Sequence, residues 1–565
     1  MYYKTSILSA LILLLINTGC SDFMDTDVET RYPEEEIFVN YSRMSQAGYG
    51  VYTALFDFGF NRIGSAMLAS ACDEADHADN NSSIHRFNTG TWSPVSNPDD
   101  CWSMFYTAIR RANLFLKNSE TYKKILYRDT LIPANREEYL YNVRDVEWLR
   151  AEVRFLRAFY HFELIKRYGG IPLMSTLIDD EATLRAKTRD NFNECVKFIA
   201  DECDSVIPAL RDTWISVEGG KWQGRATKSA AYALKSRALL YAASPLNNPS
   251  NEIEKWKKAA EAAHDVIVLG RHSLHIDYRG LFNLGNNSDE NSEVLFAVHR
   301  WNENTFEKQN YPIGYDQGGQ ATTSPSQNLV DAYEMKTNGR RIYEAGSGYD
   351  PQNPYANRDP RLEMSIIVNN STFKGRRVES WTGGIDGLGK LRATTTGYYL
   401  KKYVNENLNL AQNQTSVHSW ILFRYAEILL NYAEAMNEAF GPESKGELSM
   451  TAKTAVDAVR QRIGIGMPIL QPGLTQDEMR ERIRHERQIE LAFEEHRFFD
   501  VRRWKIAEQT ENMPIMAVRI NRNEDGIFDY TVFKKEDRIF GPHMYLYPIP
   551  ESETLKGAIV QNSGW

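Results

Sequence analysis

The sequence predicts a mainly α protein, a scaffold of paired helices carrying a large loop-rich insertion. Three observations lead there. Residues 148–173, WLRAEVRFLRAFYHFELIKRYGGIPL, repeat apolar side chains at helical spacing over an arc too wide for one buried stripe, so this helix needs neighbours on two sides. Ala-rich segments further on carry small side chains that let helices approach closely. Residues 301–400 hold twelve of the chain's 35 glycines, are rich in Asn, Thr, Tyr and Trp, and lack helical periodicity. A long stretch of that kind inside a compact protein usually carries function.

The chain begins with Lys4, an apolar run from Ile7 to Ile16, and Asn17-Thr18-Gly19-Cys20. This reads as a bacterial secretion signal ending at a cysteine, and the apolar run is too short to span a bilayer. Thr18 and Gly19 before Cys20 resemble a lipobox, with Asn17 where Leu is usual, so Cys20 is the expected lipidation site. Several acyl chains there would hold the protein firmly on a membrane. A net charge of -9 argues against non-specific binding to nucleic acid or anionic lipid, both of which require a basic excess. Cys195 and Cys203, eight residues apart on one predicted helix, stand about 12 Å apart along its axis and are too distant to bridge. Cys72 and Cys101 are free to pair but nothing requires it, and no Cys/His spacing matches structural zinc.

In chain order, a helical segment is expected from about Glu34 to Phe56, then an irregular, turn-rich stretch from Asp73 to Asp100. Trp102–Asn118 and the long helix through Leu149, Val153, Leu156 and Tyr160 form the first pair. Arg150, Arg154, Arg157 and His161 are read as that helix's opposite face, and Gly169, Gly170 and Pro172 end it. Asn191–Leu210 and Ala226–Ser244 make a second pair, followed by Glu254–Leu269. Arg424–Phe440 and Thr451–Ile463 make another, and its Tyr432-Ala433-Glu434-Ala435 pattern resembles tetratricopeptide helices. A final helix is expected from Thr475 to Lys505, its alternating charges between Arg480 and Arg503 read as a salt-bridged surface face.

Over almost its whole length the chain resembles SusD/RagB outer-membrane lipoproteins. The stretches that carry this are CSDFMDT at 20–26, FLRAFYHFELIKRYGGIPL at 155–173 and GRATKSAAYALKSRALLYAASP at 224–245. NRDPRL at 357–362, FRYAEILLNYAEAMNEA at 423–439, ERQIELAFEEHRFFDVRRWK at 486–505 and the terminal YPIP and QNSGW complete the set. The resemblance implies about four tetratricopeptide-like helix pairs packed against a variable, loop-rich, ligand-binding part. It further implies a surface lipoprotein that closes over a SusC-like TonB-dependent transporter and binds glycans, or peptides in some branches, for import. The organisation expected is a signal peptide at 1–19, a lipidated tether at 20–33 and one domain over 34–565. Within that domain the scaffold takes about 34–300 and 420–505, the insertion about 301–420 and a C-terminal segment 506–565.

A polysaccharide site needs flat aromatic faces against the apolar faces of sugars and side chains that match paired hydroxyls. Loop aromatics are therefore the candidates: Trp92, Trp301, Tyr311, Tyr315 and Trp381, with Asp73, Glu74, His77 and Arg86 as hydrogen-bonding groups. Trp102, Trp148, Trp504 and Trp565 lie on helices or in family-wide motifs and are assigned to packing. Asp73, Glu74, Asp76 and Asp79 offer oxygen ligands for calcium but lack EF-hand spacing, so no cofactor or metal is expected. No nucleophile elbow, phosphate loop or HExxH motif is present, and the expected role is binding without catalysis. The open alternatives are peptide cargo or a purely gating subunit.

Overall fold

The computed structural model describes residues 34–565 apart from 216, 219–221 and 316–318. The signal sequence, Cys20 and the tether lie outside the described residues. After a short turn of helix at Glu34–Ile37 come α1 (Tyr41–Tyr49) and a 3-10 helix at Gly50–Asp57, where the sequence predicts one continuous helix. The long helices then stack in chain order: α2 (Trp102–Asn118), α3 (Pro133–Tyr168), α4 (Phe192–Val206), α5 (Lys228–Ala243), α6 (Ile253–Val268), α7 (Tyr425–Phe440), α8 (Ala452–Arg460) and α9 (Gln476–Glu490). Each packs on its predecessor, and α7 also touches α9, so the scaffold is a row of helix pairs of tetratricopeptide type. The insertion leaves between α6 and α7, which nonetheless pack together. Thus α7, expected to pair with the next helix, has close neighbours on both sides.

Local signals set the helix ends. Capping boxes at Asn191/Glu194 and Thr475/Glu478 start α4 and α9. Pro133 opens α3, and Gly169, at φ 76°, ends it. The C-terminal half of α3 is buried nearly all round, which corrects the reading of a polar opposite face. Arg157 donates to Asn113 at 2.7 Å and to Glu202 at 2.6 Å. His161 is fully buried, and its Nε2 accepts from the Met174 amide at 3.2 Å. Burial pulls its pKa down to about 4, so it is a neutral core histidine.

Strands do appear around and inside the insertion: β1 (Ala75–His77) with β3 (Thr323–Pro325), β2 (Val294–Glu303) with β4 (Ser416–Arg424), and the hairpin β5 (Ile515–Arg522) and β6 (Phe528–Glu536). All three pairs are antiparallel. One hydrophobic core runs through helices and strands alike, from Met44 on α1 through Phe159 and Tyr399 to Ile549.

The predicted final helix breaks after Glu490 and resumes as α10 (His496–Arg503), with Phe493 and Glu495 in left-handed conformation. The turn points Glu494 inward, where it meets Arg424 and Lys402. The charges read as a surface face are largely an internal ion network. Glu490 accepts from Arg361 at 2.8 Å, Arg424 at 2.7 Å and Arg462 at 2.6 Å, and all four side chains are sealed from solvent. Burial alone would push the Glu490 carboxyl up, but the guanidinium groups of Arg462, Arg424 and Arg361 outweigh it and hold the group well below the usual range. Because Arg361 and Lys402 belong to the insertion and the carboxylates follow from α9, the network ties the loop-rich part to the scaffold.

Candidate functional site

The five aromatic candidates separate by exposure. Trp301 is 79% exposed, whereas Trp92, Tyr311 and Tyr315 are buried. Trp301 owes its position to β2. The ladder with β4 shifts register between His299 and Asn302, so Arg300 and Trp301 sit in a bulge, a device that re-aims side chains out of a sheet. Behind the indole lies Phe56, at the end of the 3-10 helix, its ring stacked 6.0 Å away at 28°. Four residues on, Phe60 turns inward against Phe306, Tyr403 and Trp420, which fixes the base of this aromatic step. Phe56 itself was not singled out from sequence, although the FDFGF run at 56–60 marks an aromatic cluster.

Trp92 packs in a nest of Phe87, Tyr547 and Trp565, with Trp565 4.6 Å away edge-on, so no face is left for a sugar. The Tyr311 ring meets Phe373, and its hydroxyl donates to the Asn405 carbonyl at 2.5 Å. Tyr315 lies under the Arg376 guanidinium at 3.7 Å and beside Phe373. All three are covered by other side chains, Trp92 by the C-terminal Tyr547 and Trp565, and their assignment as open platforms is corrected. Trp381 is half-buried, with Arg522 5.5 Å from its ring and its loop pinned by a 2.7 Å bond from the Thr382 amide to Ile520.

The polar candidates also part ways. Asp73 is ion-paired with Arg497 at 2.7 Å. Glu74 is buried and accepts from the Phe493 amide at 3.3 Å, and burial, followed by the neighbouring Asp73, pushes its pKa up to about 8. It is therefore a protonated structural acid at neutral pH. Arg86 is exposed and donates to Ser96 Oγ. Asp79 caps its own turn at Asn81, and Asp76 accepts from Thr395 Oγ1 at 2.6 Å. The four acids that offer oxygen ligands in sequence, Asp73, Glu74, Asp76 and Asp79, face different partners.

His77 differs from the rest. It is fully buried on β1, yet neither ring nitrogen has a hydrogen-bond partner, and Oδ1 of Asp76 and Oγ1 of Thr323 nearby on the β1–β3 pair are likewise unpaired. Burial and the adjacent His85 lower the His77 pKa to about 4. Buried polar atoms are nearly always paired, with protein or with ordered water. Cys72 and Cys101 are both buried and free. A cleft of about 450 Å³, lined by Trp102, Tyr106, Arg110, Pro172 and Ile559, opens on the helix-pair side and contains none of the predicted site residues.

Comparison with known proteins agrees with this architecture. Residues 286–565 match the SusD family, and residues 29–240 match a family described as starch-binding associating with outer membrane. The chain belongs to the SusD/RagB family. SusD-like protein P2 of Formosa agariphila is 26% identical over 520 residues, covering 88% of this chain and 90% of its own. A SusD-like protein of Bacteroides fragilis superposes with a TM-score of 0.77 at 26% identity, covering 95% of this chain and 100% of the other. A SusD-like carbohydrate-binding protein of the same species gives a TM-score of 0.73 at 23% identity, covering 92% and 99%, and shares the fold. No helix among the described residues of this SusD/RagB member is long and apolar enough to cross a membrane.

Proposed function

We propose that this protein is a cell-surface glycan-binding lipoprotein that captures oligosaccharide or polysaccharide and delivers it to a SusC-like TonB-dependent outer-membrane transporter. It is anchored through Cys20, after removal of residues 1–19, and faces the cell exterior. The described residues act as one domain, with the helix pairs as scaffold and the insertion as the glycan-facing part. Its role is capture, without catalysis.

The observation that carries this reading is the uncovered indole of Trp301, held out on a strand bulge and backed by Phe56. An isolated tryptophan at such exposure, on a rigid support, offers the apolar plane that a pyranose ring stacks on. The family description, starch-binding associating with outer membrane, supports the cargo class and the location.

The test is native affinity electrophoresis of the chain from residue 21, which carries the whole described fold, through gels containing a panel of neutral and acidic polysaccharides. Retardation by one polysaccharide, lost in Trp301→Ala, is the expected result. Lack of retardation by every polysaccharide, with the circular dichroism unchanged, would overturn glycan capture in favour of peptide cargo or gating.

A further inference from the structure

We infer that Asp76, His85 and Glu536 form a binding site for a divalent first-row transition cation of the zinc class. The three residues come from distant parts of the chain: β1, the short helix His85–Thr89 and the end of β6. Each nevertheless offers a ligand atom within 4.8 Å of the other two. Donors bound to one cation at about 2.0–2.2 Å stand no more than about 4.4 Å apart, so small rotations of the partly exposed His85 and Glu536 side chains complete the cage.

The hydrogen bonds around the three side chains support this assignment. Nε2 of His85 lies 3.1 Å from the Asp79 carbonyl, a contact that places the ring proton there and leaves Nδ1 with its lone pair free. Oδ2 of Asp76 accepts from Thr395 Oγ1 at 2.6 Å, whereas Oδ1, fully buried, has no partner. Oε1 of Glu536 accepts from Arg538 Nε at 2.9 Å, which leaves Oε2 for a ligand bond. All three groups are thus held by one atom and free at another, the pattern by which outer partners orient metal ligands. His77 stands behind them on β1, its ring centroid 6.1 Å from that of His85.

The imidazole selects the class of ion. Calcium and magnesium take oxygen donors, while one imidazole with two carboxylates suits zinc and its first-row neighbours. Lys535 is the competing positive charge, its Nζ 3.6 Å from Asp76 Oδ2 on a side chain one-quarter exposed that can swing into solvent. A bound cation would fasten the 76–85 loop to the β5–β6 hairpin.

Isothermal titration of the chelator-stripped chain from residue 21 with zinc tests the site. One zinc per chain is expected, with binding abolished in His85→Ala and in Glu536→Gln, both only partly buried and safe for folding. Thr395→Val, which removes the outer donor, should weaken binding about 10–100-fold. His543→Ala should leave it unchanged, and saturating zinc should raise the melting temperature of the parent chain but not of His85→Ala. Absence of zinc binding to the stripped parent, or binding that survives both ligand substitutions, would overturn the site. Displacement of zinc by equimolar calcium would overturn the class of ion.

Discussion

Arg424 and Glu494 form a two-point ion pair, Nε to Oε2 and Nη2 to Oε1 both at 2.7 Å, with each side chain at most 2% exposed. Nη1 of the same guanidinium reaches Glu293 at 2.8 Å and Glu490 at 2.7 Å. One arginine at the junction of β4 and α7 therefore bridges three buried carboxylates, sharing them with Arg361, Lys402 and Arg462. Arg424→Met leaves them undercompensated, which costs about 3–5 kcal/mol when one partner of a buried pair is removed. Urea unfolding followed by tryptophan fluorescence should show a loss of that size. A change below about 1 kcal/mol would show that Arg462, Arg361 and Lys402 suffice without it.

Glu74 gives a pH dependence of definite sign. Its carboxyl is raised by burial, then by Asp73, from 4.5 to about 8. The folded state keeps a proton that the unfolded chain releases above about pH 4.5, so stability from this residue is present below that pH and falls as pH rises to about 8. Glu74→Gln removes the effect. The melting temperature of Glu74→Gln relative to the parent should climb between pH 4.5 and 8 and level off above. Glu511, raised to about 7 by burial and then by Asp73, adds a slope of the same sign to the parent.

The four cysteines among the described residues are free and buried, and burial pushes every thiol upward, Cys195 to about 11. Neither thiolate character nor access favours reaction. The chain from residue 21 should show no thiol titratable by a disulfide reagent at pH 8 when native and four when unfolded in guanidinium. Two thiols on unfolding would instead reveal a bridge.

Gly59, at φ +71°, lies between the exposed Phe56 and the buried Phe60, and a Cβ there would stand 1.9 Å from Cδ2 of Trp420. Both the backbone angle and the ring forbid a side chain. Gly59→Ala should be strongly destabilising, by about 1–3 kcal/mol or more from overpacking, and should displace the aromatic step as well. Thermal unfolding near that of the parent would mean the ring can move aside.

Helix positions were largely legible because their signals are local, as at Asn191 and Gly169, whereas the first turns of α3, from Pro133, lie well before the reading that began at Trp148. The strands were less so, although the Asp525-Gly526 dipeptide is a turn signal that points to the β5–β6 hairpin. The charge alternation between Arg480 and Arg503 has the same local appearance on a surface or inside. Only Arg361, Arg424 and Arg462, remote in sequence, decide that it is inside. Exposure of the loop aromatics was equally illegible. Trp92 is covered by Tyr547 and Trp565 from the far end of the chain, and long loops in a large protein bury their own aromatics. Trp301 was one of five loop aromatics and opens the insertion, and the bulge that lifts it depends on the register with β4.

Phe56 offers the sharpest test of the proposed glycan platform that does not touch the platform itself. Its ring is about one-third exposed and stacks behind Trp301, so its removal takes away little core but frees the indole to rotate. An aromatic pair of this kind is worth about 0.5–1.5 kcal/mol, which corresponds to at most about tenfold in affinity if the lost ordering is recovered from binding energy. Phe56→Ala should therefore weaken retardation in the polysaccharide gel less than Trp301→Ala does, with a loss of stability of about 1–2 kcal/mol that leaves the fold intact. Phe56→Leu should behave like Phe56→Ala, because a branched aliphatic side chain cannot reproduce a stacked plane. Full retention in Phe56→Ala alongside loss in Trp301→Ala would show that the strand bulge alone orients the indole.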